Sequence, residues 1–161
     1  MIQQGKDATL ALSKLPKNTS EISISIMNTL DFGHEIPWQP FSEEAIDDLV
    51  GSKQAIFIDF TADWCANCKV NEKTVLETEE VRAAMKKYNV WPMKADNTKY
   101  SPLIDRWLKH FNSAGVPLYL VIPATRQAGF DNYASGVINL GEFITPSKVI
   151  SAIEKASSAK K

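Results

Sequence analysis

The chain has 161 residues, long enough for one domain with a sound core, and its 18 Lys and Arg against 19 Asp and Glu leave a net charge of -1. No basic cluster offers a surface to nucleic acid or an anionic membrane, and no stretch reaches the ~18 to 20 apolar residues of a membrane-crossing helix. The N-terminus also lacks the apolar core of a signal peptide. Residues 1–36 read as a linker or N-terminal extension, from their charges, Ser, Asn and Pro16. Ile22, Ile24 and Ile26 alternate with Ser23 and Ser25, which also fits an added edge strand. Trp38 to Phe41 reads as an anchoring turn. Ser42 then caps a helix with Glu43 and Glu44 in its first turn and Ala45, Ile46, Leu49 and Val50 as its buried stripe.

A buried strand is expected from Gln54 to Thr61, followed by a short turn at Trp64 and Cys65 and a helix over Lys69 to Glu80. Cys65 thus falls where a strand ends and a helix begins, where free backbone N–H groups and the helix dipole favour a thiolate. Cys68, one helical turn on, is placed to resolve a mixed disulfide formed on Cys65. Asp59 lies mid-strand on the face of Phe57 and Thr61, where desolvation raises its pKa, and Glu72 shares the helical face of both cysteines. Either acid could move a proton to and from Cys68, Asp59 first and Glu72 second. The same cysteine spacing forms half of many zinc sites, but the chain has no other cysteine, and His34 and His110 are far away in sequence. A structural bridge over so short a loop would remove little unfolded-state entropy.

Beyond the cysteines, Val81, Ala84, Met85 and Tyr88 continue a helical stripe after a bend near Glu77 to Glu80, and Val90 to Asp96 is a strand. Pro92 within it requires either an unpaired N–H side or a start at Met93. A helix follows over Ser101 to Phe111, with Pro102 in its first turn and Leu103, Ile104, Trp107, Leu108 and Phe111 inward. Val116 to Ile122 is a strand led by a proline, Pro123 to Asn132 a turn, and Tyr133 to Leu140 holds the last strand. Thr145 caps a final helix with Pro146 in its first turn and Val149, Ile150 and Ile153 inward; a tail from Ser157 frays. Strands alternating with helices make the class α/β.

Asp59, Trp64-Cys65-Ala-Asn-Cys68-Lys69 and Val116-Pro117 together resemble the thioredoxin superfamily. Phe60 to Lys73, Lys94-Ala-Asp96 and Gly115 to Val121 are similar, within it, to the C-terminal periplasmic domain of DsbD-type transmembrane thiol:disulfide interchange proteins. The resemblance spans Trp38 to Lys155. It implies a thioredoxin-like fold over residues 37–157, a central mixed sheet flanked by helices, with residues 158–161 as a tail. It also implies a cis Val116–Pro117 bond facing the cysteines, with Val116, Pro117 and Trp64 shaping the surface that meets a partner. The implied activity is a protein-disulfide reductase without cofactor or metal, whose redox-active Cys65–Cys68 pair takes electrons from a membrane-embedded domain and passes them to periplasmic thiol proteins. That setting is periplasmic electron transport and cytochrome c biogenesis, in a soluble and monomeric domain of an inner-membrane protein. The membrane and export segments would then lie outside these residues, with Met1 an added start. Ala66 and Asn67 depart from the Gly-Pro of cytosolic thioredoxins and imply a different redox poise. Two alternatives stand beside this reading: a free-standing thioredoxin-like oxidase or isomerase, and a binding module that uses the fold without turnover.

Overall fold

In a computed structural model, residues 26–124, 127–133 and 136–158 are described. Five strands form one sheet in the order β1-β3-β2-β4-β5: β1 Gln39–Pro40, β2 Ile56–Thr61, β3 Trp91–Asp96, β4 Leu118–Ile122 and β5 Ile138–Gly141. β1 and β2 run parallel to β3, whereas β4 runs antiparallel to both β2 and β5, so the sheet is mixed. All six residues of β2 are buried, the pattern of a central strand covered on both faces.

Ser42 accepts from the Ala45 N–H and starts α1, Glu43–Gly51; Ser101 accepts from Ile104 N–H and starts α4, Pro102–His110. Both helices lie over the Ile58 and Phe60 face of the sheet. There Trp107 meets Phe41, Phe60 and Tyr133, and the Glu43 carboxylate accepts from Trp107 Nε1 at 2.7 Å. Leu103, expected inside, is 37% exposed: it faces outward with Arg106, while Ile104, Trp107 and Leu108 carry the buried stripe.

The opposite face is covered by α2, Ala66–Asn71, by the π-helical turn Glu72–Leu76 that continues it, and by α3, Glu79–Lys87. α5, Pro146–Ser158, packs on α3: Ser157 Oγ donates to Tyr88 O and Tyr88 OH to Glu154. Ser157, expected to fray, is therefore helical and anchored; residues 159–161 lie outside the described residues. α2 starts at Ala66 rather than Lys69 because Cys65 is its cap. The expected bend appears at Glu77 and Thr78, where Thr78 caps α3. Thr145 caps α5 by accepting from Lys148 N–H, as expected.

Pro92 is inside β3. Trp91 and Asn97 donate to Ala55 O and Thr61 O on the β2 side, so period two turns the missing N–H of Pro92 toward β1. There β1 pairs only with Met93 and Lys94, and nothing is lost from the ladder. Trp38 to Phe41 is not merely a turn, since Gln39 and Pro40 form that short edge strand. The last strand, Ile138–Gly141, falls at the end of the region expected to hold it, while Tyr133 ends the 3₁₀ turn Phe130–Tyr133, where its hydroxyl donates to Asp47 at 2.7 Å.

The C-terminal part of the stretch read as linker is packed. Met27, Leu30, Phe32 and Ile36 are each under 8% exposed in the main core. The Glu77 carboxylate accepts from Ile36 N–H at 2.9 Å and Trp38 Nε1 at 3.2 Å, and Arg82 donates to Phe32 O. The alternating isoleucines at 22 and 24 lie outside the described residues.

Candidate active site

Cys65 and Cys68 are bridged as a disulfide at the junction of β2 and α2. Cys65 has extended backbone angles and closes the N-terminus of α2 with its sulfur, which accepts from Cys68 N–H at 3.2 Å. Cys65 is 7% exposed and Cys68 wholly buried, so of the two the first cysteine lies nearer the surface. Ala62 and the partly buried Val116 pack against both. The Val116–Pro117 bond is cis, as the resemblance implied.

Beneath α2, a polar row crosses the sheet. In register, Asp59 of β2 has Lys94 of β3 on one side and Tyr119 of β4 on the other, all three on one face. Two consecutive helix residues reach down to the ends of that row. Asn71 Nδ2 donates to Tyr119 OH at 3.1 Å, and Glu72 meets Lys94 Nζ at 3.9 Å while accepting from Thr61 Oγ1 at 3.1 Å. Lys94 also lies over the Trp38 ring, 5.2 Å from its centre.

Asp59 is the unusual member. It is fully buried, and neither carboxyl oxygen has a hydrogen-bond partner among the described residues. Burial pushes the carboxyl up to about 8; the neighbouring Glu72 carboxylate adds to the shift and Lys94 opposes it. Glu72 is close enough for that influence, yet the contact falls short of hydrogen-bond geometry. Tyr119, buried and near Asp59, is held well above the ordinary phenol range. The sequence-derived acids thus come together under the cysteine helix. Lys94, Thr61, Tyr119 and Asn71 complete the group, and only strand register could have revealed Lys94 and Tyr119.

Trp64 is 67% exposed, its indole N–H donating to Thr98 O at 3.4 Å. Asp63 and Lys69 form an exposed pair at 3.4 Å, worth little in water. A cleft of about 690 Å³ runs beside the disulfide, lined by Trp64, Val116 and Pro117 on one part and Glu142 and Phe143 on another. His110 sits against Phe130, and no group of three or more potential metal ligands occurs among the described residues. No helix among them is long and apolar enough to cross a membrane.

A family model described as thioredoxin-like matches residues 37–124. Over 90 residues the chain is 31% identical to the thiol:disulfide interchange protein DsbD of Klebsiella pneumoniae, covering 56% of this chain and 15% of that protein. It is 33% identical over 88 residues to the thiol:disulfide interchange protein DsbD 1 of Pseudomonas aeruginosa, covering 52% and 15%. The chain therefore spans about 15% of the length of these curated relatives. The oxidised C-terminal domain of Neisseria meningitidis DsbD superposes with a TM-score of 0.51 at 23% identity, over 71% of this chain and 88% of that one, a likeness of fold.

Proposed function

The chain belongs to the thioredoxin-like family, and we propose that it is a thiol:disulfide oxidoreductase working as a protein-disulfide reductase through the Cys65/Cys68 dithiol. One observation carries the reading: a cysteine pair at a strand-to-helix junction, with the first cysteine nearer the surface than the second and a buried Asp59 of raised pKa beneath the same helix. In the reduced state the Cys65 thiolate attacks one sulfur of a partner disulfide. A mixed disulfide forms, and the partner's other sulfur leaves as a thiolate. Cys68 then gives its proton to the fraction of Asp59 that is ionised, or to Glu72, and attacks Cys65 Sγ. The second partner thiol is released, the domain is left as the disulfide, and two electrons have passed to the partner. The exchange requires no cofactor.

Similarity to DsbD proteins supports the finer reading. In it a membrane-embedded domain reduces the Cys65–Cys68 disulfide, and the domain, on the periplasmic side of an inner-membrane protein, hands the electrons to periplasmic thiol proteins. Trp64, Val116 and Pro117 would form the surface that receives both partners. The deciding measurement is the equilibrium potential of the pair against glutathione or dithiothreitol. A value near or below about -200 mV is expected; one nearer about -120 mV would reverse the direction of electron flow. A Cys68→Ala variant should accumulate a mixed disulfide through Cys65 with a periplasmic thiol protein, and failure to do so would remove the relay.

A further inference from the structure

The cleft beside the disulfide has two unlike sides. Trp64, Val116 and Pro117 form the side nearest the sulfurs, with Val116 packed directly on the cysteine pair. The other side is the chain just after β5, where Glu142 is exposed and Phe143 is 77% exposed. Phe143 is a large apolar side chain in water on a backbone that is held from two directions. Asn71, on the cysteine helix itself, uses one amide nitrogen to donate to both Tyr119 OH and Glu142 O, each at 3.1 Å. From α5, Lys148 Nζ donates to Leu140 O at 3.1 Å and Phe143 O at 2.8 Å. The far side of the cleft is thus tied by Asn71 to the helix that carries Cys65 and Cys68. Among the described residues that line the cleft, Glu142 is the one ionisable side chain, and the Lys148 ammonium held at Phe143 O lies outside that lining. Fixing an exposed aromatic side before binding lowers the ordering cost when a partner arrives.

We propose that this cleft selects an extended, disulfide-bearing peptide segment that places a cationic side chain on Glu142 and an apolar one against Phe143, and that Asn71 is the positioning residue that holds this side in register with Cys65. The inference rests on the oxidoreductase reading and names the partner class for the same site.

The test uses synthetic peptides whose one cysteine is capped with thionitrobenzoate and flanked by Lys and Phe, or by Glu and Gly. The Cys65 thiolate attacks the peptide sulfur, the bond to thionitrobenzoate breaks, and the coloured thiolate leaves. Cys68 then displaces the peptide thiol, so the dithiol is oxidised as the capped peptide is reduced. The readout is the ratio of second-order rates for the two peptides, which cancels any general loss of reactivity. For the unaltered chain we expect a ratio of about tenfold or more that falls with salt. E142Q should remove the Lys component and its salt dependence, F143A the Phe component, and N71L should lower both. A ratio near one, or one unchanged in E142Q and F143A, overturns the inference. Reduction of bis-hydroxyethyl disulfide by the unaltered chain is measured beside it; if that fails, it is the reductase reading that falls. The docking claim is then decided by NMR titration with the same peptides carrying Ser for Cys. Shifts gathered at Trp64, Glu142 and Phe143 with the Lys and Phe peptide support it, and their absence overturns it.

Discussion

Asp59 occupies a place in β2 that a valine or isoleucine would fill at lower cost, because its carboxyl is buried without a donor among the described residues. In acid below the ordinary carboxyl range it is protonated in folded and unfolded chain alike. Above that range the unfolded chain ionises while the folded one keeps its proton up to about 8, so the folded state binds the extra proton. Stability therefore falls as pH rises through this window and levels off once the folded carboxyl ionises too. Asp59→Asn should flatten that slope and, at pH 9, stabilise the oxidised protein by a few kcal/mol, roughly, in urea unfolding. An unchanged slope would mean that Asp59 ionises freely in the fold. The same substitution should slow resolution of a mixed disulfide by Cys68 on the order of a hundredfold, read by stopped-flow with a peptide disulfide.

Among the elements, the break between the π-helical turn and α3 has a second use beyond bending the chain. Glu77, at that break, accepts from the Ile36 backbone and from the Trp38 indole, while Arg82 holds Phe32 O one turn further on. A segment that enters from the N-terminal side is fastened there to the back of the helix that begins at the cysteines. Glu77→Ala leaves two partly buried N–H donors without an acceptor and should cost about 2 kcal/mol, seen as a lower denaturation midpoint with an unchanged m-value. The left-handed Lys53, Asn89 and Asn112 end α1, α3 and α4, each just before an N–H that returns to a carbonyl of the helix's last turn. Asn tolerates that conformation; Lys53 takes it without such help.

Across the whole molecule, the domain is larger than the stretch the motifs mark out. Met27, Leu30, Phe32 and Ile36 are part of the main core, and burial of each contributes ~1.5 to 3 kcal/mol. Their sum is comparable to the ~5 to 15 kcal/mol by which a domain is stable at all. A chain begun at Trp38 should therefore lose its cooperative thermal transition, or melt tens of degrees lower, by circular dichroism. If it melts with the full chain, the segment contributes nothing to the core.

Much of the site was legible because its signals are local. The Cys-x-x-Cys spacing, the apolar run of β2 and the caps Ser42, Ser101 and Thr145 depend on near neighbours, and each is found where the residues place it. Asp59 was legible too, since period two fixes its face and an apolar strand fixes its desolvation. Lys94 and Tyr119 were not, because nothing near them in sequence states that β3 and β4 flank β2 with these residues in line with Asp59. The same holds for the packed stretch from Met27 to Ile36, whose acceptor, Glu77, is 41 residues from Ile36. By itself the sequence determined the α/β class and the cysteine pair with its buried acid. Only the tertiary structure decided which charges share that acid's face, and which side chains stand across the cleft, because these depend on strand register and long-range closure.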